Sequence, residues 1–559
     1  MGNRLTAIIA AVVLGYVTLL FNLYHLQLSK GQYYLARADS QYAASGVLEA
    51  PRGTIYFTDA DNNHLPVALD KDFPIVYAVP KVMEDEKAAS KLAPLVNMPV
   101  RDLQRRLGNA SSSYELLIKK GDPAIVAKIE ELKIKGVYTD QGPARYYPLG
   151  PLAGQLLGFV GPAEKANDPD RGRYGVEEFY NKNLAGVRGS IDDGDVTAPS
   201  AGQDLVLTID PTIQKEAERI INNLNKKFDA KGGSIVVQEP KTGKILALAN
   251  SPQFDPNNYG KADLSDFIDP VVQQIYEPGS VFKVLTMAAG IDAGKITPST
   301  VFHDTGALKL NGYTIHNWDM KAYGDVTMTN VIEHSLNTGA AFAERTTGEE
   351  TFKKYLLKFG FNERTGVDLP GELRGDINRL LQKDARPIVF ATASFGQGVA
   401  ATPLQVINAI STLANGGELM RPYVNADLQP EMLEQVIRPE TAAAVTKMMI
   451  SAVDQAKIAH IEGYSIAGKT GTAQVPDLKN GGYAKDRVIN TYTGFGPTSD
   501  PRFTILIKLN EPYGAPLAGM TVVPAFREMA QFIINYYTIP PDRLGVKTSV
   551  GPAGQFDIH

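Results

Sequence analysis

The sequence predicts an α+β protein with a single amino-terminal transmembrane helix, an irregular elongated pedestal, and a large domain whose antiparallel sheet is flanked by helices. Three observations predict it. Ala7 to Phe21 is almost purely apolar and the pattern runs on through Leu23, Tyr24, Leu26 and Leu28, about 22 residues, enough to span a bilayer. Gly, Ser, Pro and Asp dominate 194–204 (GDVTAPSAGQD), where apolar periodicity lapses and a domain boundary is expected. Beyond that point β-rich runs occur at 234–249 and again at 492–510, with helical and irregular stretches between them. Strands from both ends of a domain pair naturally into one antiparallel sheet with helices around it.

Residues 1–5 are expected as a cytoplasmic tip, because Arg4 precedes the apolar run and no acid appears before Asp39. Residues 6–28 form the anchor. A cleaved signal peptide is the competing reading, with Ala36-Arg37-Ala38 of small-x-small form, but that site lies well past a run longer than the usual h-region of about 7 to 15 residues. The chain after Leu28 then lies on one side of the membrane. Residues 29–200 read as the pedestal, short periodic stretches broken by Gly, Pro and Asp clusters near 58–66 and 164–172. In the large domain, 201–540, Leu205 to Ile209 reads as a strand. Ile213, Ala217, Ile220, Ile221 and Leu224 then recur at helical spacing behind an Asp210 cap and Pro211 in the first turn. Ser234 to Gln238 and Lys244 to Ala249 read as a hairpin turned by Pro240-Lys241-Thr242-Gly243. Residues 541–559 are polar, Gly-rich and expected as a loose tail.

Composition removes whole classes of function. With 56 Lys plus Arg against 61 Asp plus Glu the net charge is -5, which argues against nucleic-acid binding driven by overall charge. The chain has no cysteine, so disulfides, thiol nucleophiles, zinc fingers and iron–sulfur clusters are excluded. Its 7 histidines are scattered without HExxH-like spacing, and FGQG at 395–398 follows no phosphate-loop pattern. No metal and no cofactor are expected.

Chemistry concentrates in three short segments. YEPGSVFKVLTMAAG places Ser280 and Lys283 three residues apart behind a Pro-Gly helix-start signal. Positions i and i+3 of a helix share a face, so hydroxyl and amine can meet beside unpaired amide donors, as a nucleophile and base require. EHSLNTGA supplies Ser335 and Asn337, and IAGKTGTAQV supplies Lys469, Thr470, Gly471 and Thr472 on a strand whose glycines let a ligand approach the backbone. Alone, each has an ordinary reading: a Ser cap with a solvated Lys, an Asn at a helix start, threonines in any strand. Together, in the order SxxK, SxN, KTG and separated by about 55 and 130 residues, they point to a serine acyl-transfer site.

On these motifs the chain resembles the class B penicillin-binding proteins, membrane-anchored D,D-transpeptidases of peptidoglycan synthesis, over nearly its whole length. Further similar segments are APRGTIY at 50–56, RYYPLG at 145–150, YGVEEFYNKNLAGVRG at 174–189, LTIDPTIQ at 207–214, SFGQGVAATPLQ at 394–405 and GFGPTSDPRFTILI at 494–507. Two departures stand out: YFTDADNN replaces the family's Asp-Arg-Asn-Gly-like turn after Arg52-Gly53, and Val281 follows Ser280 where Thr is common.

The resemblance implies that 29–200 is a dimerisation-type pedestal and 201–540 a penicillin-binding transpeptidase domain. It implies a place in the bacterial cell (inner) membrane, single-pass, with the catalytic domain outside the cytoplasm. Ser280 would attack the carbonyl between two D-alanines of a stem pentapeptide while neutral Lys283 takes its proton, the amine's pKa lowered by burial beside Lys469. Ser335 would relay a proton, Asn337 would hold Lys283 and the substrate amide, and Lys469, Thr470 and Thr472 would bind the terminal carboxylate or its β-lactam equivalent. Backbone amides of Ser280 and Thr472 would form the oxyanion hole. The implied partners are a polytopic membrane glycosyltransferase and other division proteins, and the septal branch is favoured over the elongation branch.

Other classes fit less well. A bifunctional protein needs an EDxxFxxH-like glycosyltransferase motif before residue 200, and none is there. A class D β-lactamase or β-lactam sensor usually has a hydrophobic residue at the place of Asn337, and a sensor needs an intracellular effector where only about five residues are expected before the anchor. A scaffold with a decayed acyl site is opposed by intact motifs. Trp318, the single tryptophan, is expected in the core, with the substrate cleft as the alternative, and His334 as a packed neighbour of Ser335.

Overall fold

The computed structural model describes residues 13–19, 24, 47–85, 87–109, 112, 114–163, 170–192, 195–477 and 482–543. Of the expected anchor only 13–19, which is helical, and residue 24 fall among them; the rest of 6–28, and 544–559 of the tail, lie outside the described residues. Among the described residues no helix is long and apolar enough to cross a membrane.

The chain divides into two compact units that interleave in sequence. The first comprises Met1–Thr54, Ala68–Tyr146 and Lys182–Gln203, the second Ile55–Val67, Tyr147–Asn181 and Asp204–His559. Sequence patterning gave one boundary near residue 200, whereas Ile55–Val67 and Tyr147–Asn181 group with the chain that follows Asp204.

In the first unit the part of the long strand β1 (His64–Ala78) that follows Val67 pairs antiparallel with β2 (Glu115–Ile118) and with β3 (Val137–Tyr146), from Leu69 opposite Tyr146 to Ala78 opposite Val137. Three short helices, α1 (Ala88–Val96), α2 (Val100–Leu107) and α3 (Pro123–Glu131), close one core over this sheet with Val76, Ala78, Leu92, Leu103, Leu117, Val126 and Ile129. Only α3 has a side-chain cap, Asp122 accepting from the Ala124 amide.

The second unit begins with the unusual turn YFTDADNN, which is closed by its own side chains. Asp59 accepts hydrogen bonds from the amides of Asp61 and Asn63 and from Asn63 Nδ2, so the replaced turn is well formed. The expected strand Leu205 to Ile209 is shorter than its apolar pattern suggests, only Leu205–Val206. Its partners change along its length: Leu205 and Val206 pair with Ile55 and Tyr56, Leu207 bridges Asn425, and the Thr208 amide donates to Val424. Helix α4 (Pro211–Lys227) follows as expected, with Asp210 accepting from the Thr212 and Ile213 amides.

The central sheet is built from β4 (Gly232–Gln238), β5 (Ile245–Ser251), β6 (Ala467–Pro476), β7 (Tyr483–Gly496) and β8 (Phe503–Asn510), in the spatial order β5-β4-β8-β7-β6, antiparallel throughout. Strands from both ends of the unit do form one sheet. One face is apolar, with Ile235, Val237, Ile505, Ile507 and Leu509 packed among residues of α4 and of the last helix, Val522–Tyr536. The other face is polar where Pro403–Ala414 crosses it: Gln238 Nε2 donates to Asn408 Oδ1 and Ser411 Oγ donates to Gln238 Oε1. The start of the expected loose tail is tied down. The Ser465 amide donates to Asp542, and Arg543 pairs with Asp454 at 2.8 Å.

Candidate active site

Ser280 lies in a tight 3-10 turn, Gly279–Phe282, that runs directly into the helix Lys283–Asp292. The turn holds Ser280 and Lys283 one helical turn apart. The four residues before Ser280, Tyr276 to Gly279, form a strap fixed at several points. Tyr276 exchanges both backbone hydrogen bonds with Ala401 at 3.0 Å, and the Gly279 amide donates to Gly396 at 3.2 Å. Glu277 accepts from the Gly398 amide at 3.0 Å and from the Tyr483 hydroxyl at 2.9 Å, and its burial raises the carboxyl pKa. Two glycines make this packing possible. Gly396 has φ +77°, and a Cβ there would lie 2.3 Å from the Gly279 carbonyl; one on Gly471 would lie 2.7 Å from the Pro278 carbonyl. The KTG strand therefore rests against the Ser280 turn with no room for a side chain.

Lys283 is fully buried, and its amine donates to Ser335 O at 2.5 Å and Ser335 Oγ at 3.2 Å. Lys469, 4% exposed on β6, donates to the same Oγ at 2.9 Å and to Thr470 Oγ1 at 3.2 Å. Burial, reinforced by the Lys469 cation, holds the Lys283 amine well below the usual lysine range, and burial alone brings Lys469 down to about 7. Ser335 itself has φ +56°, a left-handed conformation that a serine adopts only when its surroundings enforce it. It links the helices Met328–Glu333 and Asn337–Thr347 and turns its hydroxyl toward both amines. Ser280 Oγ has no side-chain partner of its own among the described residues.

Three expectations meet different partners. Asn337 opens a helix, but its Nδ2 donates to His316 O at 2.8 Å and not toward Lys283. It anchors the hairpin Ala307–Leu310 and Tyr313–His316 beside Ser335. Thr472 Oγ1 accepts from the Ala518 amide at 3.4 Å. Trp318 is not in the core: it is 59% exposed, because its indole N–H reaches the His334 carbonyl at 3.2 Å and stands the ring at the surface. His334 stacks on Tyr323 at 4.9 Å, a packed neighbour as expected. Glu277 was not singled out from the sequence, although an acid directly before Pro-Gly-Ser is a visible signal for a residue holding that turn. Among the described residues no cluster of His, Cys, Asp or Glu has the spacing to hold a metal.

A serine at a helix start, two depressed lysines sharing one hydroxyl, and a glycine-bearing edge strand form the layout of a serine acyl-transfer domain. The family model "Penicillin binding protein transpeptidase domain" matches residues 233–530, and the "Penicillin-binding Protein dimerisation domain" matches 47–196. Stage V sporulation protein D of Bacillus subtilis is 30% identical, covering 93% of this chain and 83% of its own. Peptidoglycan D,D-transpeptidase FtsI of Escherichia coli is 27% identical, covering 100% and 95%. Penicillin binding protein 3 from Mycobacterium tuberculosis, solved with aztreonam, aligns with a TM-score of 0.70 and 25% identity over 89% of this chain and 98% of that one. The chain belongs to the penicillin-binding protein transpeptidase family.

Proposed function

We propose that this chain crosslinks peptidoglycan as a serine D,D-transpeptidase at division, with Ser280 as nucleophile and Lys283 as its base. The convergence of Lys283 and Lys469 on Ser335 Oγ carries the reading. Ser280 Oγ attacks the carbonyl between the two terminal D-alanines, and its proton passes to the neutral Lys283 amine. The C–N bond breaks, a proton returns through Ser335 to the leaving D-alanine amine, and an acyl ester remains on Ser280. An acceptor amine from a second stem peptide then attacks that ester; its proton passes to the Lys283 amine and on to the Ser280 oxygen as the acyl C–O bond breaks, freeing Ser280 and forming the crosslink. Lys469, Thr470 and Thr472 hold the terminal carboxylate, Gly471 lets strand and turn close on it, and the Ser280 and Thr472 amides bind the oxyanion. Asn337 orients the substrate side from its place under the His316 hairpin.

A β-lactam enters the same route and stays on Ser280. Residues 6–28 anchor the chain in the cytoplasmic membrane, 29–200 form the pedestal and 201–540 the outward-facing transpeptidase domain. A polytopic glycosyltransferase and other division proteins are the partners. Similarity to a stage V sporulation protein and to the peptidoglycan D,D-transpeptidase FtsI supports the septal reading over elongation. Intact-mass and peptide analysis after incubation with benzylpenicillin tests the assignment: one adduct on Ser280, abolished in Ser280→Ala, is expected. An adduct elsewhere overturns it.

A further inference from the structure

Lys508 lies on β8 opposite Ser234 of β4 and Thr491 of β7, and Thr491 stands opposite Gly471 of β6. Cross-strand partners share a face, and so do residues two apart along a strand. Lys508 and Lys469 therefore project from the same face, two strands apart, while Ile507 and Leu509 turn to the apolar core behind.

The environment of Lys508 is unusual for a lysine. It is 3% exposed, and burial pulls its pKa down to about 8, with no hydrogen bond or ion pair to the amine among the described residues. What the amine does meet is an aromatic face: Nζ sits 4.9 Å from the centroid of the Tyr276 ring. Tyr276 is itself 6% exposed, and its buried hydroxyl has no hydrogen-bond partner among the described residues. Drawing an amine almost wholly out of water without an anionic partner disfavours folding, and a methionine of similar length would fill the same space without that penalty. The side chain thus works against stability at a point directly beneath the strap leading from Tyr276 to Ser280. Backbone hydrogen bonds hold that strap at Tyr276 and Gly279, and the Tyr276 ring is the part of it that meets the Lys508 amine.

We propose that Lys508 is a positioning residue for Ser280: its amine fixes the Tyr276 ring, and through it the strap that presents the serine hydroxyl to Lys283. The proposal rests on Ser280 being the nucleophile.

The test uses the full chain in detergent with benzylpenicillin as the probe, resolving the acylation step k2 from the binding constant Ks by stopped flow. Wild type should label on Ser280; a different site defeats the reading of the active site and not this proposal alone. Lys508→Met should still label Ser280, with k2 lowered about tenfold or more and Ks within about threefold, since misplacing a reacting group slows chemistry more than binding. Its melting temperature should equal or exceed that of wild type. Lys508→Arg, whose guanidinium also stacks on an aromatic ring, should recover k2 to within about threefold of wild type. Tyr276→Leu should reproduce the loss, and the double variant should be no slower than either single one. An unchanged k2 in Lys508→Met overturns the proposal, as does a fall in k2 that tracks a lower melting temperature and is not recovered by arginine. Should Lys508→Met fail to fold, an unchanged k2 in Tyr276→Leu overturns it equally.

Discussion

The amines of Lys283 and Lys469 reach the same oxygen, Ser335 Oγ, at 3.2 and 2.9 Å. Two ammonium groups cannot share one hydroxyl in a buried site without strong repulsion, and the depressed pKa of Lys283 resolves the conflict by leaving that amine neutral. One lysine is then free to accept a proton and the other to hold a carboxylate. The hydroxyl between them is placed to pass a proton along.

Lys283→Arg tests the base. Guanidinium keeps the charge but does not deprotonate in a protein, so a base at this position is lost. General-base catalysis contributes about 100- to 10,000-fold, and acylation by benzylpenicillin should fall by that order. Stopped-flow rates for both proteins provide the check, and a rate within about fivefold of wild type would remove Lys283 from the role.

The pH profile should have two limbs of opposite origin. Acylation needs Lys283 neutral, so the rate should rise with pH through that residue's lowered pKa. Carboxylate binding needs Lys469 charged, and its cation is lost as pH rises through about 7, so binding should weaken on the alkaline side. Lys469→Met removes the charge that helps depress Lys283, and should move the rising limb to higher pH. An unmoved limb would mean that burial alone sets the Lys283 amine. Rates measured between about pH 5 and 10 cover both limbs.

Much of this site was legible because its chemistry is local in sequence. Ser280 and Lys283 are one helical turn apart, Lys469 to Thr472 are contiguous, and the Asp210 cap with Pro211 marks its helix within two residues. What escaped depends on register and on partners far along the chain. Glu277 is held by Gly398 and Tyr483, 121 and 206 residues away, and no periodicity announces such a meeting. Trp318 is apolar enough for a core, yet one hydrogen bond to His334 keeps its ring outside. Asn337 was expected on Lys283 because both belong to the same motif set, but a nearer carbonyl, His316 O, takes its amide. The apolar run 205–209 is strand only at Leu205–Val206, then changes partners and bends at Thr208, which a hydropathy pattern cannot show.

Ser335 separates hydroxyl chemistry from backbone strain. Its φ of +56° disfavours any residue with a Cβ, by about 1 to 2 kcal/mol for L-residues in this region. Ser335→Ala and Ser335→Gly both remove the oxygen shared by the two lysines, and both should lose most acylation. They should differ in stability: the glycine variant should be the more stable, by about 1 kcal/mol, since only it relieves the strain. Denaturant midpoints compare the two directly, and an alanine variant as stable as the glycine one would show that the backbone at this position is relaxed.

Gly471→Val tests whether the KTG strand must lie against the serine turn. A Cβ at Gly471 would sit 2.7 Å from the Pro278 carbonyl and 3.1 Å from Val281 Cγ1. The first of these is backbone and cannot swing aside, so either β6 or the turn has to move. Pro278 is two residues before Ser280, and Lys469 is two residues before Gly471, so displacement at this contact separates the proposed nucleophile from the lysine proposed to bind the carboxylate. A shift of about 1 Å can cost on the order of 100-fold in rate, and that loss is expected in acylation. Overpacking of this kind also costs about 1 to 3 kcal/mol, so the melting temperature should fall by a few degrees while the chain remains folded. Gly260→Val is the control: open space surrounds that glycine, and neither rate nor stability should change appreciably. If Gly471→Val acylates at the wild-type rate, the close approach of strand and turn is a packing feature with no part in the reaction.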